Sequence, residues 1–173
     1  MLFKEHKVLA DGECLFNAIA YGILYRKSLR KPSVKTYKKL ASKIREYVTE
    51  RLYEKVKQNN QQYIVSMALE YNPNSTNLVE NAKKYVKRMK KSCAWGGQIE
   101  ISVLGTFLNR YNIPGLITLD DNLKKIKGMH TRMRISDKNK ALYIKLNGVN
   151  MGGIHFNYLE IIKPASIEVL RPF

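Results

Sequence analysis

Cys14 follows the turn sequence Asp11-Gly12-Glu13 and opens an apolar run that reaches Tyr25. A thiol in the first turn of a helix lies at the positive end of the macrodipole. Its thiolate is stabilised there, and its pKa is expected below the free value of ~8.5. Backbone N–H groups of the turn and first helical turn have no intrahelical partner and can bind an oxyanion beside the sulfur. One segment would then supply a nucleophile, Cys14, and an oxyanion turn at Gly12 and Glu13. The competing reading is a small, buried, apolar cysteine. A nucleophilic thiol also needs a base and a group that orients it. His155 lies in a strand-like run, and strand positions two apart face the same side, so His155 and Asn157 project together. Asn157 can then hold the imidazole, giving a Cys–His–Asn arrangement known among thiol proteases. A histidine in a half-buried strand can equally be a satisfied core residue. His6 and His130 have no comparable setting and read as surface residues. A third landmark is Trp95-Gly96-Gly97-Gln98-Ile99-Glu100, which holds the only tryptophan. Its glycines allow close backbone approach, although a core tryptophan before a loop is the simpler reading.

These residues need elements to position them. Residues 7–10 read as a short strand or an extended lead-in, and 14–25 as a helix apolar nearly all round, hence buried. Pro32-Ser33 marks a break and a cap. Tyr37, Leu40, Ala41, Ile44, Val48, Leu52 and Val56 then recur at helical spacing, predicting one long helix over 34–57. Further helices are predicted over 61–71, after the turn 72–77, and over 98–111, where Gly105 weakens the pattern. Strands are predicted at 115–119, 141–146, 154–159 and 167–170. The stretch 120–140 reads mostly as loop with a short strand near 133–135. Helices first and strands later indicate an α+β fold with a small, mainly antiparallel sheet packed between helices. A single domain spanning 1–173 is expected, with a helical arm over about 34–92 and a sheet-rich half over about 115–170.

Composition narrows the classes. The chain has 173 residues, 45% hydrophobic and 26% charged, which is ordinary for a globular domain. No apolar run approaches the ~18 residues of a membrane span. The first fifteen residues carry charges where an apolar signal segment would be, so no secretory leader is expected. Two cysteines without CxxC or HxxxH spacing argue against a disulfide framework and against a zinc site. The net charge of +17 is unusual. It is concentrated: residues 26–57 hold twelve Lys/Arg against three acids, 83–91 hold six and no acid, and 124–145 hold eight and one acid. Solvated helix faces are the plain explanation, and a nucleic-acid surface the sharper one.

The blocks Asp-Gly-x-Cys-Leu-Phe-x-Ala at 11–18, Trp-Gly-Gly-x-Ile-Glu at 95–100 and Ile-His-Phe-Asn at 154–157 occur in that order. Together they resemble the three signature blocks of the ovarian-tumour (OTU) family of cysteine deubiquitinases, over residues 7 to 160. The resemblance implies Cys14 as nucleophile, His155 as general base, Asn157 as its orienting residue, and Asp11 as the acid whose loop shapes the oxyanion hole. It implies that the arm holds the distal ubiquitin. Trp95, Gly96, Gly97 and the loop before His155, including Ile154, would wall a narrow channel for the Gly-Gly tail. Glu13 stands where the family more often has Asn or Ser, and Asn17 where it usually has Arg. An anion at position 13 opposes thiolate formation unless it points to water. The tail of ubiquitin carries two arginines, and Glu70, Glu80, Asp120 and Asp121 are the acids available to meet them.

The function expected from this resemblance is a thiol-dependent isopeptidase acting on ubiquitin, or on ubiquitin-like conjugates, through a Cys14 thioester. The expected partners are ubiquitin or polyubiquitin chains, with no cofactor, metal or membrane, and the protein is expected to act as a monomer. The compact size is similar to OTU domains encoded by viruses, so a viral source and the host cytoplasm are expected. One alternative is a catalytically weak ubiquitin-binding module that keeps the fold. The less favoured alternative is a basic nucleic-acid-binding domain, since no aromatic–basic recognition motif accompanies the charge.

Overall fold

The computed structural model describes residues 1–148 and 155–163. Strand β1 (Leu2–His6) leads into helix α1 (Cys14–Ser28). Helices α2 (Val34–Lys57), α3 (Gln61–Tyr71) and α4 (Leu78–Met89) follow, then the short α5 (Gln98–Ser102) and α6 (Gly105–Asn109). The remainder is β2 (Leu116–Leu119), β3 (Lys125–His130), a 3-10 turn over Ile135–Lys140, β4 (Leu142–Asn147) and β5 (His155–Lys163). The chain is an α+β fold.

Side-chain caps start three of the four long helices. Ser33 accepts from the Thr36 N–H at 3.2 Å, Asn60 from Tyr63 at 3.4 Å and Asn77 from Glu80 at 3.1 Å. Helix α1 is the exception: Glu13 precedes it with no side-chain cap. Its first N–H groups therefore lack a side-chain cap, at the turn that carries Cys14. Every residue from Cys14 to Ile23 is buried, as the apolar run requires. Gly22 brings the helix onto the sheet, because a Cβ there would lie 2.6 Å from the Tyr158 ring and 2.7 Å from Leu142 Cδ1.

The sheet order is β1-β5-β4-β2-β3. Three of its pairings are antiparallel and one, β2 with β4, is parallel. Alternation divides its faces. Leu142, Ile144, Leu146, Phe156 and Tyr158 join the main core with the helices, whereas Ala141, Tyr143 and Leu159 form a smaller cluster with Ile117 and Leu119.

Four local expectations are corrected. The first strand is 2–6 rather than 7–10, because the Val8 N–H leaves the ladder and donates to the Asn157 side chain at 3.1 Å. The pattern over 98–111 divides into α5 and α6, with Gly105 opening the second; Ile101, Leu104, Phe107 and Leu108 still reach the core from both pieces. The strand expected near 133–135 lies earlier, at β3, a polar edge strand with too little apolar alternation to announce itself. His6 is not a surface residue. Its Nε2 pairs with Glu160 at 2.9 Å, its Nδ1 meets the Tyr21 hydroxyl at 3.1 Å, and the rings of Tyr21, Tyr25 and Tyr158 surround it. The strand expected at 167–170 lies outside the described residues.

Candidate active site

The turn before Cys14 is clamped from three sides. Gly12 has φ +77°, and a Cβ there would lie 3.0 Å from the Cys93 carbonyl oxygen, so only glycine fits both the torsion and the space. Asp11 Oδ1 accepts from the Asn17 side-chain N–H at 2.9 Å and from the Glu13 backbone N–H at 3.2 Å, while Oδ2 pairs with Lys38 at 2.7 Å. Burial pushes the Asp11 carboxyl up, but the Lys38 ammonium and the Glu13 N–H outweigh it and hold the group below its ordinary value. Glu13 points neither to water nor to the sulfur. It forms an ion pair with Arg45 at 3.4 Å, and both side chains are largely buried. Arg45 also donates to the Met89 and Ser92 carbonyls at 3.0 and 3.1 Å and stacks its guanidinium on Phe16. The anion beside the nucleophile is thereby neutralised.

Cys14 itself is buried, and burial pushes its thiol up from the ordinary value. Backbone N–H groups of Phe156, Leu15 and Cys14 act in the opposite direction without reversing it, and the Asp11 carboxylate adds to the rise. The fall in pKa expected at the helix N-terminus is opposed by desolvation of the buried thiol, and the net direction is upward.

The Phe156 N–H that favours the Cys14 thiolate belongs to β5, one residue beyond His155. Asn157 is buried, and both ends of its amide are spoken for. Its Oδ1 accepts from the Val8 N–H, and its Nδ2 donates to Glu5 at 2.6 Å. A backbone N–H only donates and a carboxylate only accepts, so the amide orientation follows from the network. Oδ1 lies 2.9 Å from His155 Nε2, which must therefore carry the proton and donate. The neutral ring then has an unprotonated Nδ1. That atom is buried and has no hydrogen-bond partner among the described residues. It is the lone pair available to take a thiol proton. Asp11 makes none of the contacts to His155; its bonds go to the turn, to Asn17 on α1 and to Lys38 on α2.

Trp95, Gly96 and Gly97 lie along a groove of about 540 Å³ that also includes Tyr63, Glu70 and Gln98. Trp95 is 55% exposed, so it is no core residue. Gly96 packs on α1, where a Cβ would come within 2.7 Å of Leu15. Glu100 anchors the loop from beneath, accepting from the Gly97 N–H and the Tyr85 hydroxyl, each at 2.7 Å. Of the four acids considered for arginine contacts, Glu70 lines this groove. Ile154 lies outside the described residues.

The family model described as OTU-like cysteine protease matches residues 9–133. The chain belongs to this OTU family. Among solved structures, the OTU fold of this chain is similar to viral OTU domain proteases from Farallon virus and Dera Ghazi Khan virus. The Farallon virus protein is 18% identical, with a TM-score of 0.55, covering 92% of this chain and 85% of that one. The Dera Ghazi Khan virus protein is 22% identical, with a TM-score of 0.55 and coverages of 93% and 82%. An OTU deubiquitinase from Wolbachia pipientis wMel is 16% identical, with a TM-score of 0.51 and coverages of 91% and 88%. No curated protein sequence matches the chain. The OTU match contains Cys14 and the Trp95 loop and ends before His155, so the assignment of the base rests on the geometry of β5. Among the described residues, no helix is long and apolar enough to cross a membrane.

Within this OTU domain, three participants are invisible to motif reading: Glu5, Lys38 and Arg45. Arg45 and Lys38 sit in a lysine-rich amphipathic helix, where any cation looks like solvated surface. The burial of Arg45 at a position otherwise facing the core was the available signal: it is one residue after Ile44 and three before Val48. Glu5 offered none, because its role depends on strand pairing across more than 150 residues.

Proposed function

We propose that this OTU protein is a deubiquitinase, a thiol-dependent isopeptidase that acts on ubiquitin conjugates through a Cys14 thioester. The observation that supports it most is the imidazole of His155. Its Nε2 is held by Asn157, its buried Nδ1 has no partner among the described residues, and the N–H of the next residue favours the Cys14 thiolate. In this reading His155 Nδ1 takes the Cys14 proton as the sulfur attacks the carbonyl carbon of the ubiquitin C-terminal glycine. The oxyanion is received at the uncapped start of α1, where the Cys14 N–H is favoured because Asp11 already engages that of Glu13. Collapse breaks the C–N bond, and the imidazolium returns its proton to the leaving lysine amine. Water, deprotonated by His155, then cleaves the thioester and regenerates the thiol.

The whole chain serves as one catalytic domain. Helices α2–α4 present the arm for the distal ubiquitin, and the Trp95 groove receives its tail with Glu70 toward an arginine. The similarity in fold to the OTU deubiquitinase from Wolbachia pipientis wMel favours ubiquitin over other acyl donors. The reading places the enzyme on conjugates in the cytoplasm, that of a host if the source is viral. The test is a ubiquitin probe with a C-terminal electrophile, followed by peptide mapping. It should label Cys14 and spare the exposed Cys93. Preferential labelling of Cys93, or chain cleavage that survives Cys14→Ala, would overturn the assignment.

The raised thiol favours one other reading, a ubiquitin-binding module with weak catalysis. It predicts probe labelling and ubiquitin binding without multiple turnovers of a fluorogenic ubiquitin amide.

A further inference from the structure

Asn157 is neutral, yet the imidazolium formed during thiol attack is stabilised best by a negative charge. A carboxylate stands directly behind the amide. Glu5 Oε1 accepts from Asn157 Nδ2 at 2.6 Å, on the opposite end of the side chain from His155. The chain Glu5–Asn157–His155 is continuous, with no atom shared between its two bonds. A short bond to an ionised acceptor draws hydrogen-bonded electron density toward the far oxygen, and linked bonds of this kind strengthen one another.

We propose that Glu5 is the positioning residue of this site and supplies, through Asn157, the negative charge that an acid at position 157 would otherwise carry. The inference rests on the OTU protease reading given above. Two consequences follow from one carboxylate. As an acceptor-only group, it locks the amide so that Oδ1, and not the NH₂ group, faces the ring. As an anion, it favours the protonated imidazole.

The surroundings of Glu5 are consistent with an ionised group. Asn147 donates to Oε1 at 3.1 Å and Lys145 to Oε2 at 3.2 Å, both from β4. Asp121, from the segment after β2, shares Lys145 at 3.7 Å, so the lysine is divided between two acids and does not cancel Glu5 alone. Burial pushes the Glu5 carboxyl up, but the bonds from Asn157, Lys145 and Asn147 outweigh it and leave the group below its ordinary value. A solvent-facing ion pair with Lys145 would need none of the contact to Asn157. Moreover, β1 meets β5 with Glu5 opposite Leu159, and this register sets the carboxylate behind residue 157.

The test compares Glu5→Gln, Asn157→Asp, their combination and Lys145→Met by the pH dependence of hydrolysis of a ubiquitin fluorogenic amide. Melting curves confirm folding. Glu5→Gln keeps shape and removes charge. It should lower kcat about 5–50-fold with KM within about twofold, and move the limb set by loss of the imidazolium proton to lower pH. Adding Asn157→Asp to Glu5→Gln returns the charge one residue nearer the ring and should restore kcat to within about threefold of the unsubstituted protein. Lys145→Met removes the neighbouring cation and should move the same limb to higher pH. A Glu5→Gln protein with unchanged kcat and profile, or a double variant slower than both singles, would overturn the proposal. So would a Lys145→Met limb that moves to lower pH. Should Glu5→Gln not fold, the Lys145→Met shift alone decides. Alkylation of Cys14 by iodoacetamide, mapped by peptide, separates this proposal from the substrate assignment. If the variants rank as above in alkylation while ubiquitin amides are never cleaved, the substrate is wrong and the role of Glu5 stands.

Discussion

At the residue scale, burial raises the Cys14 thiol, so in the proposed reaction its attack would depend on the His155 base. In His155→Ala, Cys14 should react with iodoacetamide at pH 7 more slowly than the exposed Cys93, and should speed up only as pH climbs above the ordinary thiol range. Faster labelling of Cys14 than Cys93 in that variant would show that the helix start activates the sulfur unaided. On a ubiquitin amide, His155→Ala should abolish turnover, since it removes the imidazole nitrogen assigned to take the thiol proton, and the unpartnered amide oxygen of Asn17 is no base. Asn157→Ala should lower turnover by about 10–1000-fold, or ~1.4–4 kcal/mol in the barrier. The ring would lose the acceptor that fixes its tautomer. Wild-type rates in Asn157→Ala would move the orienting role elsewhere. Asp11 is a poor candidate for it, because its oxygens are engaged by Asn17, Glu13 and Lys38.

At the scale of elements, the site depends on how α1 is gripped between α2 and the sheet. Arg45 reaches from α2 to the end of α4, to the segment before Trp95 and to Glu13. Arg45→Met should lower stability by about 3–5 kcal/mol in urea unfolding, because breaking a buried pair strands the partner charge. Much of that loss should return in the Glu13→Gln, Arg45→Met double variant, which leaves no stranded charge at position 13. Equal destabilisation of single and double variants would mean that the carbonyl contacts matter and the ion pair does not. On the sheet side, Gly22→Val should cost about 1–3 kcal/mol by overpacking against Tyr158 and Leu142. It would also shift the helix whose first turn carries Cys14.

At the scale of the whole molecule, the excess of +17 is distributed over exposed faces with few acids to balance it. On α2, Lys35, Lys39 and Lys43 are exposed at four-residue spacing, whereas Lys38 is engaged by Asp11. Reversing these three exposed lysines to glutamate should change kcat/KM and its slope against ionic strength, with kcat within about twofold. Long-range charge acts on encounter more than on chemistry. Steady-state kinetics at several salt concentrations would check this. A large fall in kcat with folding intact would mean that this face of the arm touches the reacting groups.

The start of α1, the limits of α2 and α3, the pairing of His155 with Asn157 and the place of Cys14 at a helix start were all legible in the sequence, whereas α1 runs to Ser28, three residues past its apolar run. Each is a local matter of apolar period, capping residue or strand alternation, and the chain encodes such things within a few residues. The order of three motif blocks was enough to indicate the OTU family. What only the tertiary structure decided is the chemistry those residues inherit from distant neighbours. The rise in the Cys14 thiol is a property of its enclosure, the silence of Glu13 a property of Arg45 on another helix. The amide of Asn157 is oriented by Val8 and Glu5, which reach it only because β1 pairs with β5. Burial and electrostatic pairing depend on which atoms meet after the chain has closed on itself, and residues some 150 positions apart carry no local sign of that meeting.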